Sequence, residues 1–289
     1  MESLASAFLS LSREEHSLLS AIESGMKTHQ WVPSFIISEI SGLPARKVDF
    51  LLGRLFEKKL VERESLHYLG YRIDFDAYYL LALSDLVAKG ALNAIGKRIG
   101  VGKESVVYQA YGDMPLALKF HRQGRTSFKH VRRLRHSLPD KSGIPWIYAA
   151  SLAARHEHQI MEKLWPEVSI PRPVGISRHV LAMEFVSGPL LHRVSLSHPE
   201  KALDQILAEV AKALRLGIIH ADLSEFNIMM ADSGPKIIDW PQAVEVTHPH
   251  ARELLKRDLA NVLRFFERKY RIDLPLEKAL ERIGGRERI

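Results

Sequence analysis

One stretch limits what this chain can fold into more than any other: HADLSEFNIMMADSGPKIIDW, residues 220–240. It carries Asp222, then Asn227 five residues on, then Asp239 twelve beyond the Asn. Apolar runs bracket these groups, with Leu216, Ile218 and Ile219 before them, Ile228, Met229 and Met230 after, and Ile237 and Ile238 leading into Asp239. Such runs read as buried strands pinning a polar loop, and a pinned loop keeps the geometry a reaction needs. A single loop Asp or Asn is most often a turn former or a solvated charge. Three at this spacing match what phosphoryl transfer from ATP requires. One carboxylate orients the attacking hydroxyl, and an amide with a second carboxylate holds magnesium on the phosphates. Magnesium prefers hard oxygen ligands, which Asn and Asp supply.

The 289 residues leave room for about two domains. The absence of cysteine excludes disulfides, thiol catalysis and Cys-ligated zinc, and fits a reducing interior. No apolar run approaches the ~20 residues of a membrane span, because Asp85 interrupts YYLLALSDLVA. The N-terminus lacks the basic region of a secretory signal, so a cytoplasmic protein with no membrane partner is expected. The net charge of +7 is uneven: residues 1–90 carry −2, residues 119–155 carry +8 and the remainder carries +1. Clustered Lys and Arg suit a solvated face or contact with a polyanion such as RNA.

In residues 1–90, LSREEHSLLSAIESGMKTH has Leu18, Leu19 and Ile22 on one helical face and ends near Gly25. A second helix opens at Pro33, runs through Phe35, Ile36, Ile37 and Ile40, and breaks at Ser41-Gly42. A third, ARKVDFLLGRLFEKKL, carries the stripe Val48, Leu51, Leu52 and Leu55. LVERESLHYLGYRID then alternates as a β-ribbon wing would, and a helix at 75–88 closes the module. This is a winged-helix pattern. It suits nucleic-acid contact through Arg46, Lys47, Arg54 and the wing, or protein docking. Its negative balance disfavours sequence-specific duplex recognition and a transcription-regulator role.

After Gly90, ALNAIGKRIGVGKESVVYQAYGDMPLALKFH gives three β-like runs around a glycine turn. Gly100 and Gly102 let backbone amides approach phosphates, with Lys103 and the Ser105 hydroxyl beside them. A P-loop is excluded, since Lys97 stands where its first glycine belongs and Glu104 follows Lys103. Lys119 on the next strand would meet the α/β-phosphates and a helix carboxylate. Glu157 is the expected partner and Glu162 the alternative; both remain open in the sequence. HVLAMEFVSGPLL reads as a strand ending in Met183, Glu184 and Val186, whose backbone groups would meet adenine. PEKALDQILAEVAKALRL (199–216) is an amphipathic helix leading into the first motif.

Taken together, the chain resembles the RIO family of atypical serine/threonine protein kinases, in the archaeal type-two form with an N-terminal winged helix. The residues that carry the likeness are GKESVVY (102–108), Lys119, GRTSF (124–128), HADLSEFN (220–227), IDWPQAV (238–244) and LLKRDLANVLRFFERKY (254–270), with SGLPARKV and YLGYR in the winged helix. The resemblance implies an α+β chain, a winged helix at 1–90 and a truncated two-lobed protein-kinase-like domain at 91–289. Its upper lobe would be 91–183, its hinge 184–188 and its lower lobe 189–289. It implies ATP with Mg2+ (Mn2+ as an alternative), action in small ribosomal subunit maturation, and the pre-small-subunit particle and rRNA as partners. Asp222 and Asp239 would be catalytic, Asn227 and Asp239 would bind metal, and Asp239 would itself accept a phosphoryl group. Two departures stand out. Ala221 replaces the usual Gly of the family, and Trp240 precedes Pro241 where Phe is usual. Only 50 residues follow Asp239, so a freely diffusing peptide is not expected as substrate. The basic stretch 121–145 is expected to touch rRNA or cover ATP, with Ser127 or Thr126 as an autophosphorylation site. The rival readings are a small-molecule kinase of the aminoglycoside-phosphotransferase type and a catalytically inactive rRNA-binding scaffold.

Overall fold

The computed structural model describes residues 4–65, 68–122 and 146–284. Most of the basic stretch, with Thr126 and Ser127, lies outside them. The fold is α+β, an N-terminal winged helix followed by a kinase-like domain. Its contacts form two compact units. One comprises residues 1–114, 118–154 and 175–181; the other comprises 115–117, 155–174 and 182–289.

The first unit begins with α1 (Leu4–Leu9) and α2 (Arg13–Gly25). The Ser12 side chain accepts the Glu15 N–H while Glu15 returns to the Ser12 N–H, a capping box that fixes where α2 starts. Helices α3 (Ser34–Ser41) and α4 (Ala45–Glu57) follow, separated by Gly42 in the left-handed conformation at φ 69°. Leu18, Leu19 and Ile22 of α2 bury against Val48, Leu51, Leu52 and Leu55 of α4, the two stripes expected from the sequence. The wing is β2 (Val61–Glu64) with β3 (Gly70–Ile73), paired antiparallel with Val61 opposite Ile73. The periodicity gave no sign of α1, nor of the two-residue β1 (Val32–Pro33) that pairs with the other edge of β3. Both are too short to carry a pattern. Helix α5 (Phe75–Ala88) closes the module, its first turn capped by the Asp74 carboxylate on the Ala77 N–H.

A five-stranded sheet of order β4-β5-β6-β8-β7 lies largely in this unit. Its strands are β4 (Ala94–Val101), β5 (Ser105–Tyr111), β6 (Pro115–His121), β7 (Pro173–Ser177) and β8 (Val180–Glu184). Strand β6 is buried along almost its whole length, as an interior strand should be.

Helix α6 (Trp146–Leu164) runs into the second unit and carries Glu157. The helix expected at 199–216 is α7 (Pro199–Arg215), with Leu203, Ile206, Leu207, Val210 and Leu214 on its buried side. It packs on the two-residue β9 (Ile218–Ile219) and on the hairpin of β10 (Ile228–Ala231) and β11 (Gly234–Ile237). Strand β12 (Val244–Glu245) pairs with β9. Helices α8 (Ala251–Tyr270) and α9 (Leu276–Arg282) complete the unit. No helix among the described residues is long and apolar enough to cross a membrane.

Candidate active site

The candidate residues fall on both units, and the two sets are built differently. In the first unit, β4 approaches the glycine turn through two ladder irregularities, between Ile95 and Arg98 and between Arg98 and Gly100. Such irregularities bend a strand and re-aim its end. Gly102 and Lys103 are exposed and Ser105 is half-buried. The Gly102 N–H is engaged by the Ser105 carbonyl at 2.8 Å, and the Glu104 carbonyl accepts the Arg122 N–H at 2.7 Å. The turn is therefore closed on itself and fastened to the end of β6, with the Ser105 hydroxyl and Lys103 amine as its polar side chains. Lys119 is only 4% exposed, so it does not face solvent as an isolated strand lysine would.

In the second unit the motif forms a loop from β9 to β10, followed by the turn after β11. Asp222 and Asp239 are exposed and Asn227 is half-buried. The Asn227 Nδ2 donates to the Asp222 carbonyl at 2.8 Å, which sets the amide so that its Oδ1 is the acceptor left to face a cation. The Ile238 N–H donates to the Asn227 carbonyl at 2.9 Å, tying the residue before Asp239 to the residue that would share its metal. On the far side, the Trp240 N–H donates to Glu157 Oε1 at 3.0 Å. Asp239 is thus held from both flanks. Its φ is 70° and that of Ala221 is 61°, left-handed conformations that cost a non-glycine residue about 1–3 kcal/mol. Strain of this kind persists only where neighbours over-determine the backbone.

For Ala221 those neighbours come from α8. Asp258, 1% exposed, accepts the Ala221 N–H at 2.7 Å and the Leu223 N–H at 3.0 Å. Arg257 donates to the Ala221 carbonyl and Asn261 Nδ2 donates to the Leu223 carbonyl at 3.1 Å. Burial pushes the Asp258 carboxyl up to about 7, against the pull of the two N–H donors and Arg257. None of these α8 residues was singled out as functional from the sequence. The available signal was an acid on an apolar stripe: Leu255, Asp258, Leu259 and Val262 share one helical face.

The two carboxylates proposed for α6 have different surroundings. Glu157 is 1% exposed and turned to Trp240, whereas the Glu162 side chain is 60% exposed and pairs with His158. Of the strand-end residues, Val186 is buried. The Glu184 N–H is taken by the Arg172 carbonyl at 2.8 Å, and its side chain meets the Arg172 N–H and Lys236. Met183 is half-buried beside it. Among the described residues no group of three or more His, Cys, Asp or Glu side chains is arranged to hold a metal. Magnesium bound to nucleotide does not need one, since one or two protein oxygens and the phosphates share it. Asn227 Oδ1 and the Asp239 carboxylate fit that donor set.

A model of the RIO domain matches residues 106–279, and a model of the Rio2 N-terminal domain matches residues 8–89. The chain belongs to the RIO family. It is 42% identical over 262 residues to the RIO-type serine/threonine-protein kinase Rio2 of Methanocaldococcus jannaschii, covering 88% of this chain and 96% of that one. It is 34% identical over 265 residues to the serine/threonine-protein kinase rio2 of Dictyostelium discoideum, covering 90% of this chain but only 51% of that longer relative. The Rio2 kinase of Chaetomium thermophilum, solved as an ADP/Mg2+-phosphoaspartate complex, superposes with a TM-score of 0.83 at 31% identity, over 98% of this chain and 89% of that one.

Against the RIO pattern, the two departures have local explanations. A left-handed backbone at position 221 is what a glycine would adopt freely, and here Ala221 is forced into it by Asp258 and Arg257. Trp240 is 1% exposed, its indole N–H donates to the Ile237 carbonyl at 3.1 Å, and its ring lies 4.5 Å from that of His220. The larger side chain is therefore fully packed and its one polar atom satisfied.

Proposed function

We propose that this RIO protein is an ATP- and Mg2+-dependent serine/threonine protein kinase with ATPase activity, acting in the cytoplasm in small ribosomal subunit maturation. Its partners would be the pre-small-subunit particle and rRNA, and Mn2+ would serve in place of Mg2+. The domain division is winged helix 1–90 and kinase domain 91–289. The observation that carries the reading is the paired restraint on Asn227 and Asp239, two hard-oxygen donors joined through the Ile238 N–H. The kinase names of the relatives and the ADP/Mg2+-phosphoaspartate state of the Chaetomium protein support it.

In this reading Asp222 orients the attacking group, and Lys119, Lys103, Ser105 and the Gly100–Gly102 turn face the phosphates. Glu157 positions both Lys119 and, through the Trp240 N–H, Asp239. The Glu184 carbonyl and the backbone of Val186, next to Met183, receive adenine. A magnesium ion would neutralise developing charge on the phosphate oxygens. In the ATPase cycle an Asp239 carboxylate oxygen attacks the γ-phosphorus as its bond to the leaving ADP oxygen breaks. Water then hydrolyses the acyl phosphate, releasing inorganic phosphate and restoring the carboxylate. In the kinase reaction a serine or threonine hydroxyl takes the γ-phosphoryl group and loses its proton toward Asp222.

Steady-state ATP hydrolysis by Asp222→Asn and Asp239→Asn tests the assignment. Each should lower turnover by roughly 100-fold or more, because this chemistry is mostly positioning and electrostatics. Asp239→Asn should also abolish any hydroxylamine-sensitive phosphoprotein, the signature of an acyl phosphate. Near-wild-type turnover in both variants would overturn the assignment of Asp222 and Asp239, an absence of ATP turnover in the wild type would leave the scaffold reading, and preferential phosphorylation of small amino-sugar acceptors would favour the small-molecule kinase.

A further inference from the structure

The loop that holds Asp222 and Asn227 also presents Phe226, a residue that is 57% exposed. An apolar ring left in water contributes little to folding, yet this one is held in a built setting. Its centroid lies 4.7 Å from that of His192, in the 3-10 turn Leu191–Arg193, with the rings tilted by 49°. His192 Nε2 accepts the Arg193 Nε–H at 3.2 Å, which fixes the imidazole. Lys269 at the end of α8 donates to the Val194 carbonyl at 2.6 Å, and the Tyr270 hydroxyl takes the Leu196 N–H at 3.0 Å. The segment before the turn is equally constrained. The Met230 N–H donates to the Pro189 carbonyl at 2.8 Å, and a Cβ on Gly188 would overlap the Met230 carbonyl. The ring pair is therefore fixed from the β10 side and from α8.

The rim is basic. Arg193 is exposed, and Arg264 and Arg268 lie along the same face of α8 as Asn261, which reaches the catalytic loop. Arg268 is 65% exposed and contacts Glu225 at 3.3 Å, so the acid that precedes Phe226 is already countered. An exposed ring edged by exposed cations and placed four residues after Asp222 suits a negatively charged ligand with an apolar foot. Single-stranded RNA sites line up several rings along a backbone track, whereas here there is one ring pair beside a group that orients a hydroxyl.

We propose that Phe226 and His192 form the docking platform for the phosphoacceptor. The occupant is a protein segment with an apolar side chain a few residues from its serine or threonine and acidic residues beyond it, read by Arg193 and Arg268. The proposal rests on the kinase reading above and names its acceptor class. One aromatic contact with a charged rim gives weak binding, in keeping with a segment delivered by a larger assembly rather than a free peptide.

The test is fluorescence-anisotropy binding of labelled peptides to the full chain loaded with a non-hydrolysable ATP analogue and Mg2+, so the readout does not depend on turnover. The probes are a serine peptide with a leucine and flanking aspartates, the same peptide with alanine for leucine, one with lysines for aspartates, and a short oligouridylate. The first peptide should bind best. Phe226→Ala should weaken it about tenfold, the loss of one aromatic anchor, and Phe226→Leu should restore most of that. Arg193→Glu with Arg268→Glu should invert the preference between aspartate and lysine peptides. Phosphotransfer assays on the same peptides should show the Phe226→Ala loss in peptide KM more than in ATP KM. A preference that survives Phe226→Ala overturns the proposal. So does an equal loss for ATP, which would mean a distorted loop, or Phe226-dependent binding of the oligonucleotide alone. Selective peptide binding with no phosphotransfer would sink the kinase reading and leave the docking site standing.

Discussion

Two polar knots, one in each unit, are built on opposite logic. In the first unit Arg178, at the turn between β7 and β8 with φ 51°, reaches back to the winged helix. It donates to Glu23 of α2 through Nε and Nη2, both at 2.8 Å, and to Asp85 of α5 at 2.7 Å, with the Leu81 carbonyl at 3.0 Å. In the second unit Asp258 accepts two backbone N–H groups of the loop that carries Asp222. The first knot joins side chains of three elements through a cation that keeps its charge at any pH. The second fixes main-chain geometry at one strained residue through a group that can titrate. The difference separates rigidity that holds elements together from rigidity that sets the backbone of one loop.

Next to Arg178 the histidines are treated as apolar bodies. His179 is fully buried, stacked on Tyr78 at 4.5 Å and Tyr79 at 4.9 Å. Burial, then the charges of His121, Arg178 and Arg122, hold its imidazole well below the usual histidine range. At the α2 N-terminus Glu15 is also buried, and burial pushes its carboxyl up. The Ser12 N–H, Lys58 and Arg54 more than offset this and leave it below the usual range. Lys47 pairs with Glu14 at 2.9 Å and Arg54 with Glu15 at 3.3 Å. Two of the three cations expected to meet nucleic acid from α4 are therefore engaged within the module.

The largest effect should come from removing the loop anchor. Asp258→Ala leaves two buried N–H groups without acceptors, costing about 2–5 kcal/mol, and lets Ala221 relax from its left-handed state. Thermal denaturation should show the loss of stability, and ATP turnover should fall roughly 100-fold or more, because an error of about 1 Å in placement is enough for that. Full activity in a folded Asp258→Ala protein would erase the distinction between the knots.

Arg178→Met should behave oppositely. It takes the cation from Glu23 and Asp85, but Asp85 keeps the Ser177 hydroxyl at 3.0 Å and the two side chains are 24% and 44% exposed, so part of the cost is recovered and roughly 1–3 kcal/mol is expected. Turnover per folded molecule should change by about threefold at most, since Arg178 bonds to α2 and α5 rather than to the loop of Asp222. A collapse in turnover matching that of Asp258→Ala would show that both knots serve the chemistry.

The winged-helix stripes were legible because helical spacing leaves one periodic answer: Leu18, Leu19 and Ile22 recur at helical intervals and pack where that interval sends them. The motif around Asp222 was legible because polar groups interrupt apolar strands at fixed offsets. What could not be read was tertiary in origin. Asp258 is 36 residues from Asp222 and acts on backbone N–H groups, which nearly every residue possesses. Arg178 carries no local signal, since its partners are 155 and 93 positions away. Glu157 was expected ahead of Glu162, but what the sequence could not show is that the first is buried and the second exposed.

A finer test of the loop anchor uses pH. The Asp258 carboxyl is raised to about 7 in the folded chain from an ordinary value of 3.8, so folding takes up a proton between those limits. The stability this contributes is complete below about pH 4 and is lost as pH rises through about 7. Asp258→Asn has no such proton, so the melting-temperature advantage of wild type over this variant should be larger at about pH 5 than at about pH 8. A constant difference across that range would mean the carboxylate stays ionised in the folded loop and the N–H donors outweigh burial.

The smallest effect, and the sharpest control, is at Asp74 in the first unit. This cap accepts the Ala77 N–H at 3.0 Å, with the Asp76 N–H as a further donor, and it is half-buried rather than sealed. Burial raises its carboxyl from 3.8 to about 6. Ionised Asp74 is therefore a cost that grows as pH rises from about 4 to about 6 and is then constant. Asparagine caps a helix about as well as aspartate and carries no charge. Asp74→Asn should accordingly stabilise the chain by a few tenths of a kcal/mol to about 1 kcal/mol at about pH 8, discounted for its contact with water, and by nothing below about pH 4. Because Asp74 and Asp258 both accept backbone N–H groups, opposite outcomes of the two Asn substitutions at that higher pH would assign the difference to how deeply each carboxylate is buried. If Asp74→Asn destabilised there, the charge itself, facing the positive end of α5, would be the stabilising element instead.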